Sequence, residues 1–199
     1  MQHWKSLKLQ GKLAHLQFAD QSVSHSVLKN KSISEEILIF AIKARLQCLP
    51  TRYNLATWYP SQFNPNCIWH THGHENETVA HILNGCHYYK GQYVARHDRL
   101  VSLVAKDLKN INHGYDCNFF LHNTVKMDWF NHNHDVDNDY FKNFPNTPDF
   151  VMVNTSDNSV LIIEVACCFD FYMDTCYYSK LLKYQPLQER TLQLGYQCK

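Results

Sequence analysis

The hydrophobic pattern changes period along the chain, and the changes mark out the elements it predicts. In "SISEEILIFAIKARLQCLP", Ile37, Phe40, Ala41 and Ala44 recur at helical spacing. Ser32 followed by Glu35 has capping-box spacing for the start of that helix, and Pro50 stops it. "TRYNLATWYP" predicts a short helix between Thr51 and Pro60. Residues 92–110 return to an amphipathic pattern. Leu100, Val101, Val104 and Leu108 form its apolar face, with Arg96, Arg99, Lys106 and Lys109 mostly on the other side. Further on, "FVMV" and "VLIIEVA" flank "NTSDNS", the pattern of a hairpin. "YYSKLLKYQPLQERTLQLG" is helical again, with a break expected near Pro186.

Two stretches lack this periodicity. Residues 61–87 carry Cys67, His70, His72, His74, His81 and Cys86 among few apolar positions. Residues 111–148 are rich in Asn and His and read as a long loop or irregular insertion. The expected class is α+β, with helix exceeding strand. A helical N-terminal segment (1–60) leads into a small zinc-knuckle segment (61–90), then a mixed α/β core (91–199) with a small, mostly antiparallel sheet.

Composition adds bounds. The 199 residues suffice for one domain or two small ones, and 45% hydrophobic residues allow a core. A net charge of +1 gives no global nucleic-acid signal, so any such binding rests on a local patch. No N-terminal run reads as a signal peptide, and none approaches the roughly 18 apolar residues of a membrane span, so no membrane partner is expected. Eight cysteines without a secretory leader are expected to be reduced or metal-bound.

Three clusters carry chemistry. The first is Cys67-x2-His70 followed by His81-x4-Cys86, the spacing of a tetrahedral zinc site, with His72 competing with His70 for one position. Asn76 or Thr78 is placed to cap a short helix bearing His81, and Asn84-Gly85 to end it before Cys86. The plainer reading is a chance grouping among thirteen histidines. The second cluster is Pro148-Asp149, fourteen intervening residues, then Glu164 within an apolar run. Two carboxylates on adjacent strands suit Mg²⁺ or Mn²⁺, within about 5 Å of each other if one hydrated ion bridges them. Such an ion lowers the pKa of a bound water and offsets charge on a phosphodiester in hydrolysis. Lys180 on the next helix is placed to bring its ammonium to the same site, and Tyr184 lies one turn beyond on the same face. The plainer reading makes Glu164 an edge or ion-paired residue. The third cluster is the basic face with Arg96, Arg99, Lys106 and Lys109, which is either a solvated helix surface or a phosphate-contacting one. Asp98, at its margin, is either a third acid for the metal site or the partner of a neighbouring Arg.

The order of these pieces resembles the C-terminal segment of non-LTR retrotransposon polyproteins that carry a restriction-like endonuclease. "FAIKARLQCLPT" is similar to the linker before the CCHC knuckle. "ETVAHILNGC" and "YVARHDRLVSLV" are similar to the knuckle's second half and the helix after it. "TPDFVMV…LIIEVACCFDF…YYSKLLKYQPL" is similar to the PD-(D/E)xK nuclease core. The resemblance implies a structural Zn²⁺ on Cys67, His81 and Cys86, and a catalytic Mg²⁺ or Mn²⁺ on Asp149 and Glu164. It makes Lys180 the displaced catalytic lysine and Tyr184 its companion. It also implies a DNA target nicked to prime reverse transcription, element RNA as a further partner, and a nuclear location. The chain departs from the family pattern at His70 or His72, where a cysteine is usual, and at Cys168, where Pro is usual. No reverse transcriptase domain is present, and a core strand after the last helix is expected to be missing. That leaves a non-catalytic zinc-dependent nucleic-acid-binding module, or an inactive remnant, as the alternative.

Overall fold

The computed structural model describes Ser6 and residues 20–24, 26–69, 75–111, 148–154 and 157–198. His70, His72, His74 and most of the Asn-rich insertion lie outside the described residues. Among those described, helix predominates over a three-stranded sheet, a mixed α+β arrangement. Contacts divide the chain into two compact units. One comprises Met1–Val94 with Cys167–Asp174, and the other Ala95–Ala166 with Thr175–Lys199.

In the first unit, helix α1 (Glu35–Arg45) starts at Ser34, whose hydroxyl accepts from the Ile37 N–H. This corrects the cap expected at Ser32, whose backbone N–H instead donates to the Asn30 side-chain oxygen. The helix ends at Arg45, before Pro50 is reached. None of its residues is buried, and Phe40 is 52% exposed. Ile39 and Ile42 interrupt the predicted stripe, so the apolar residues spread around the helix rather than forming one face. Helix α2 (Arg52–Trp58) is capped by Thr51, and its N-terminal Arg52 N–H donates to the Glu77 carboxylate at 3.0 Å.

Helix α3 (Lys90–Ile111) crosses the boundary between the units. Its second half carries Val101 and Ala105, which form a core cluster with Phe150, joined by Val104, Leu108, Ile163 and Val165. Leu100, assigned to that face from the sequence, is exposed.

Strands β1 (Phe150–Asn154) and β2 (Ser159–Ile163) form the predicted hairpin, with Phe150 opposite Ile163 and Val151 opposite Ile162. Alternation puts Phe150 and Ile163 against α3, while Val151, Val160 and Ile162 pack with Leu194 and Tyr196. Helix α4 (Met173–Gln193) then runs unbroken through Pro186, contrary to the expected break. Tyr184, Leu187 and Thr191 are buried on either side of the proline, so packing holds a turn that lacks one backbone hydrogen bond. Gly195, at φ 84°, closes α4: its N–H donates to Leu192 O and the Tyr196 N–H to Thr191 O, a Schellman arrangement. The chain then enters β3 (Gln197–Cys198), parallel to β2. A short strand thus follows the last helix.

Candidate active site and metal centre

The β1–β2 register builds the acidic site. Extending the Phe150–Ile163 pairing by one step places Asp149 opposite Glu164 at the open end of the hairpin. Both acids lie just outside the strands, so Glu164 is not within β2 as the sequence suggested. Each is fixed by the other's strand. The Asp149 N–H donates to Glu164 Oε2 at 3.2 Å, and the Val165 N–H donates to Asp149 Oδ2 at 2.7 Å. Asp149 is 4% exposed.

Helix α4 supplies the cations. Lys180 Nζ donates to Glu164 Oε1, and Tyr184 Oη donates to Glu164 Oε2 at 2.7 Å. The predicted spacing of four brings both groups to one carboxylate. Two residues not singled out from the sequence join them. Lys183 Nζ lies 3.6 Å from Glu164 Oε1 and donates to the Tyr184 hydroxyl at 2.6 Å. His97 Nε2 lies 3.2 Å from Val165 O and 3.5 Å from Asp149 Oδ2. Asp98 is exposed and pairs with His97 Nδ1 at 3.3 Å, rather than serving the site directly or pairing with an Arg.

These contacts set the electrostatics. Burial alone would raise the Glu164 carboxyl, but hydrogen bonds from Lys180 and Tyr184 and the charges of Lys180 and Lys183 outweigh it and lower the pKa. Tyr184 is pushed well above its ordinary value, first by burial, then by its hydrogen bond to Glu164 and the charges of Glu164 and Asp149. The phenol therefore stays neutral and acts as a donor.

These hydrogen bonds do not use every oxygen lone pair of the two carboxylates. A carboxylate offers about four lone-pair sites. Among the described residues Glu164 spends one on Lys180 at Oε1 and two at Oε2, and Asp149 Oδ1 receives no hydrogen bond. Mg²⁺ needs only one or two carboxylates, with water completing its octahedron.

The second centre lies in the first unit. Cys67, His81 and Cys86 are buried, and their ligand atoms all lie within 4.8 Å of one another. The two thiols are 3.8 Å apart. A short antiparallel pairing delivers Cys67: its N–H donates to Glu75 O, and the Glu77 N–H donates to Pro65 O. Thr78, as expected, receives the His81 N–H on its hydroxyl at the head of a single π-helical turn, His81–Gly85. That turn ends at Cys86, whose N–H donates to His81 O and to the Tyr93 hydroxyl. Tyr93 Oη in turn donates to Ile82 O at 2.7 Å, tying the turn to the start of α3. His81 Nδ1 lies 3.3 Å from Glu75 Oε2, a carboxylate placed to orient the ring. Burial pushes the Cys67 thiol up, and neighbouring Cys86 adds to the effect. Two thiols and an imidazole that close together could hold a metal ion. The fourth position, expected at His70 or His72, lies outside the described residues.

The basic cluster is only partly placed. Arg96 is half-buried, Arg99 and Lys106 are exposed on α3, and the Lys109 side chain lies outside the described ones. No protein family, curated protein or solved structure matches this chain.

Proposed function

We propose that this chain is a retroelement-derived, metal-dependent DNA endonuclease of the PD-(D/E)xK type, with a structural zinc in its N-terminal unit. The observation that carries the reading is the meeting of Asp149, Glu164, Lys180 and Tyr184 from two strand ends and one helix. Asp149 and Glu164 would hold a divalent cation, which would supply an acidified water and offset charge on the scissile phosphate. The protein's own part is positional. Asp149 and Glu164 present the remaining oxygen lone pairs. Lys180 and Tyr184 fix Glu164, and the Val165 N–H fixes Asp149. The soft donor set of Cys67, His81 and Cys86 fits Zn²⁺, with His70 or His72 as fourth ligand. Arg96, Arg99, Lys106 and Lys109 are the proposed contacts to the DNA backbone, element RNA is a further partner, and the proposed location is nuclear.

Supercoiled-plasmid nicking by the purified chain tests the reading. Nicking with Mg²⁺ or Mn²⁺, lost in EDTA and in Asp149→Asn, is the expected result. No nicking by a folded, zinc-loaded protein with either ion would overturn it. The same protein binding DNA without cleavage would identify a zinc-dependent binding module.

A further inference from the structure

Within the proposed active site, the geometry points to Lys183 as a second functional cation, one that binds the scissile phosphodiester while Lys180 remains on Glu164. This inference rests on the nuclease reading for the identity of its ligand. Its physical basis is the unequal partnering of the two lysines. Lys180 is hydrogen-bonded to a carboxylate, which neutralises it. Lys183 has as its hydrogen-bond acceptor a phenol oxygen, at 2.6 Å, with its Nζ 4.6 Å from the centre of the same ring. Among the described residues its nearest carboxylate oxygen, Glu164 Oε1, is 3.6 Å away, beyond hydrogen-bond length, and is already taken by Lys180.

An ammonium has three donors, and the Tyr184 hydroxyl uses one. The Lys183 side chain is 30% exposed, so the others can meet a ligand. Placing two ammoniums beside one carboxylate costs repulsion that a further anion relieves. A phosphodiester oxygen carries the matching charge and accepts in the geometry that lysine prefers. Tyr184 serves both cations: its hydroxyl accepts from Lys183 and donates to Glu164, so Lys183 is oriented through the residue that also fixes the metal-binding acid.

The test uses DNA binding as well as cleavage. Affinity of the whole chain for a short duplex is measured by fluorescence anisotropy in Ca²⁺ across a salt series. Lys183→Met and Lys183→Gln are compared with Lys183→Arg, with folding checked by circular dichroism. Removing one phosphate contact reduces the slope of log affinity against log salt by about 0.9. Both neutral Lys183 variants should show that loss and weaker binding. Lys183→Arg should restore both. In nicking assays the neutral Lys183 variants should raise KM more than they lower kcat.

A wild-type slope and affinity in either folded neutral variant would overturn the assignment, even if the wild-type chain nicks normally. A chain that binds DNA with the predicted Lys183 dependence but never nicks would sustain the phosphate contact and remove the nuclease reading. Absence of any DNA binding by the wild-type protein would remove both.

Discussion

Asp149 and Glu164 are tied to each other through the backbone: the Asp149 N–H donates to the Glu164 carboxylate, and the Val165 N–H, one residue after Glu164, donates to Asp149 Oδ2. The two acids therefore hold the open end of the hairpin together as well as forming the proposed cation site. Asp149→Ala should remove both functions. It strands the Val165 N–H, which costs about 1–3 kcal/mol if that donor finds no other partner. Asp149→Asn keeps an acceptor there while losing the charge. Thermal melts should show a lower Tm for the Ala variant and a smaller change for Asn, with nicking abolished in both. Equal Tm values for the two variants would show that the Val165 contact contributes nothing.

The site should also shape stability at both ends of the pH scale. In EDTA the folded Glu164 carboxyl lies below its ordinary value of 4.5, so its contribution is complete above that value. It is lost as pH falls through the lower folded value. Tyr184 is shifted the other way. Its contribution is complete below the ordinary 10.0 and lost as pH rises through the raised folded value. The stability gap between wild type and Glu164→Gln should narrow below about pH 4.5, and that between wild type and Tyr184→Phe should narrow above about pH 10. Denaturant titrations across the range would measure both, and gaps independent of pH would contradict the sign of either shift.

The N-terminal unit should depend on its metal. Among its described residues the buried apolar positions are few, with Val79, Cys67 and Cys86 among them. Structural zinc contributes on the order of 10 kcal/mol in small sites. One equivalent of zinc should copurify with the chain, and chelation should unfold this unit and make Cys67 and Cys86 reactive to thiol reagents. Cys86→Ser should lose the zinc, because that sulfur is fully buried beside the other two ligands. Full retention of zinc by this variant would exclude the cluster as the site.

How far the sequence revealed this arrangement depended on whether local periodicity or tertiary approach decided each contact. The hairpin was legible because alternation in "FVMV" and "VLIIEVA" fixes register, and register sets Asp149 against Glu164. Lys180 and Tyr184 were legible from their spacing of four on one helix. Lys183 sits three residues after Lys180, a same-face spacing that could have singled it out. Ser32 and Glu35 satisfy the capping-box spacing, whereas the backbone turns into the helix two residues later, at Ser34. The continuity of α4 through Pro186 rests on the burial of Tyr184, Leu187 and Thr191, which no local pattern displays. The same holds for His97: nothing within α3 signals that its ring meets Val165, which is 68 residues away in the chain.

That histidine yields the last prediction. His97 Nε2 lies 3.2 Å from Val165 O, on the residue whose N–H holds Asp149 Oδ2 at 2.7 Å. The same nitrogen is 3.5 Å from that oxygen, while Asp98 steadies the other side of the ring at 3.3 Å. His97 therefore restrains Asp149 from two directions, through the Val165 residue and directly. Removing such an outer partner of a metal-binding group commonly weakens metal affinity by about 10–100-fold. His97→Ala should raise the Mn²⁺ concentration for half-maximal nicking by about that factor, with a smaller loss of rate at saturating metal. His97→Gln, which keeps a donor of similar reach toward Val165 O, should recover part of the affinity. Asp98→Asn should have a weaker effect, because it acts only through the ring. A metal titration of these variants decides the matter. An unchanged Mn²⁺ requirement in a folded His97→Ala protein would show that Asp149 is held by the Val165 N–H alone.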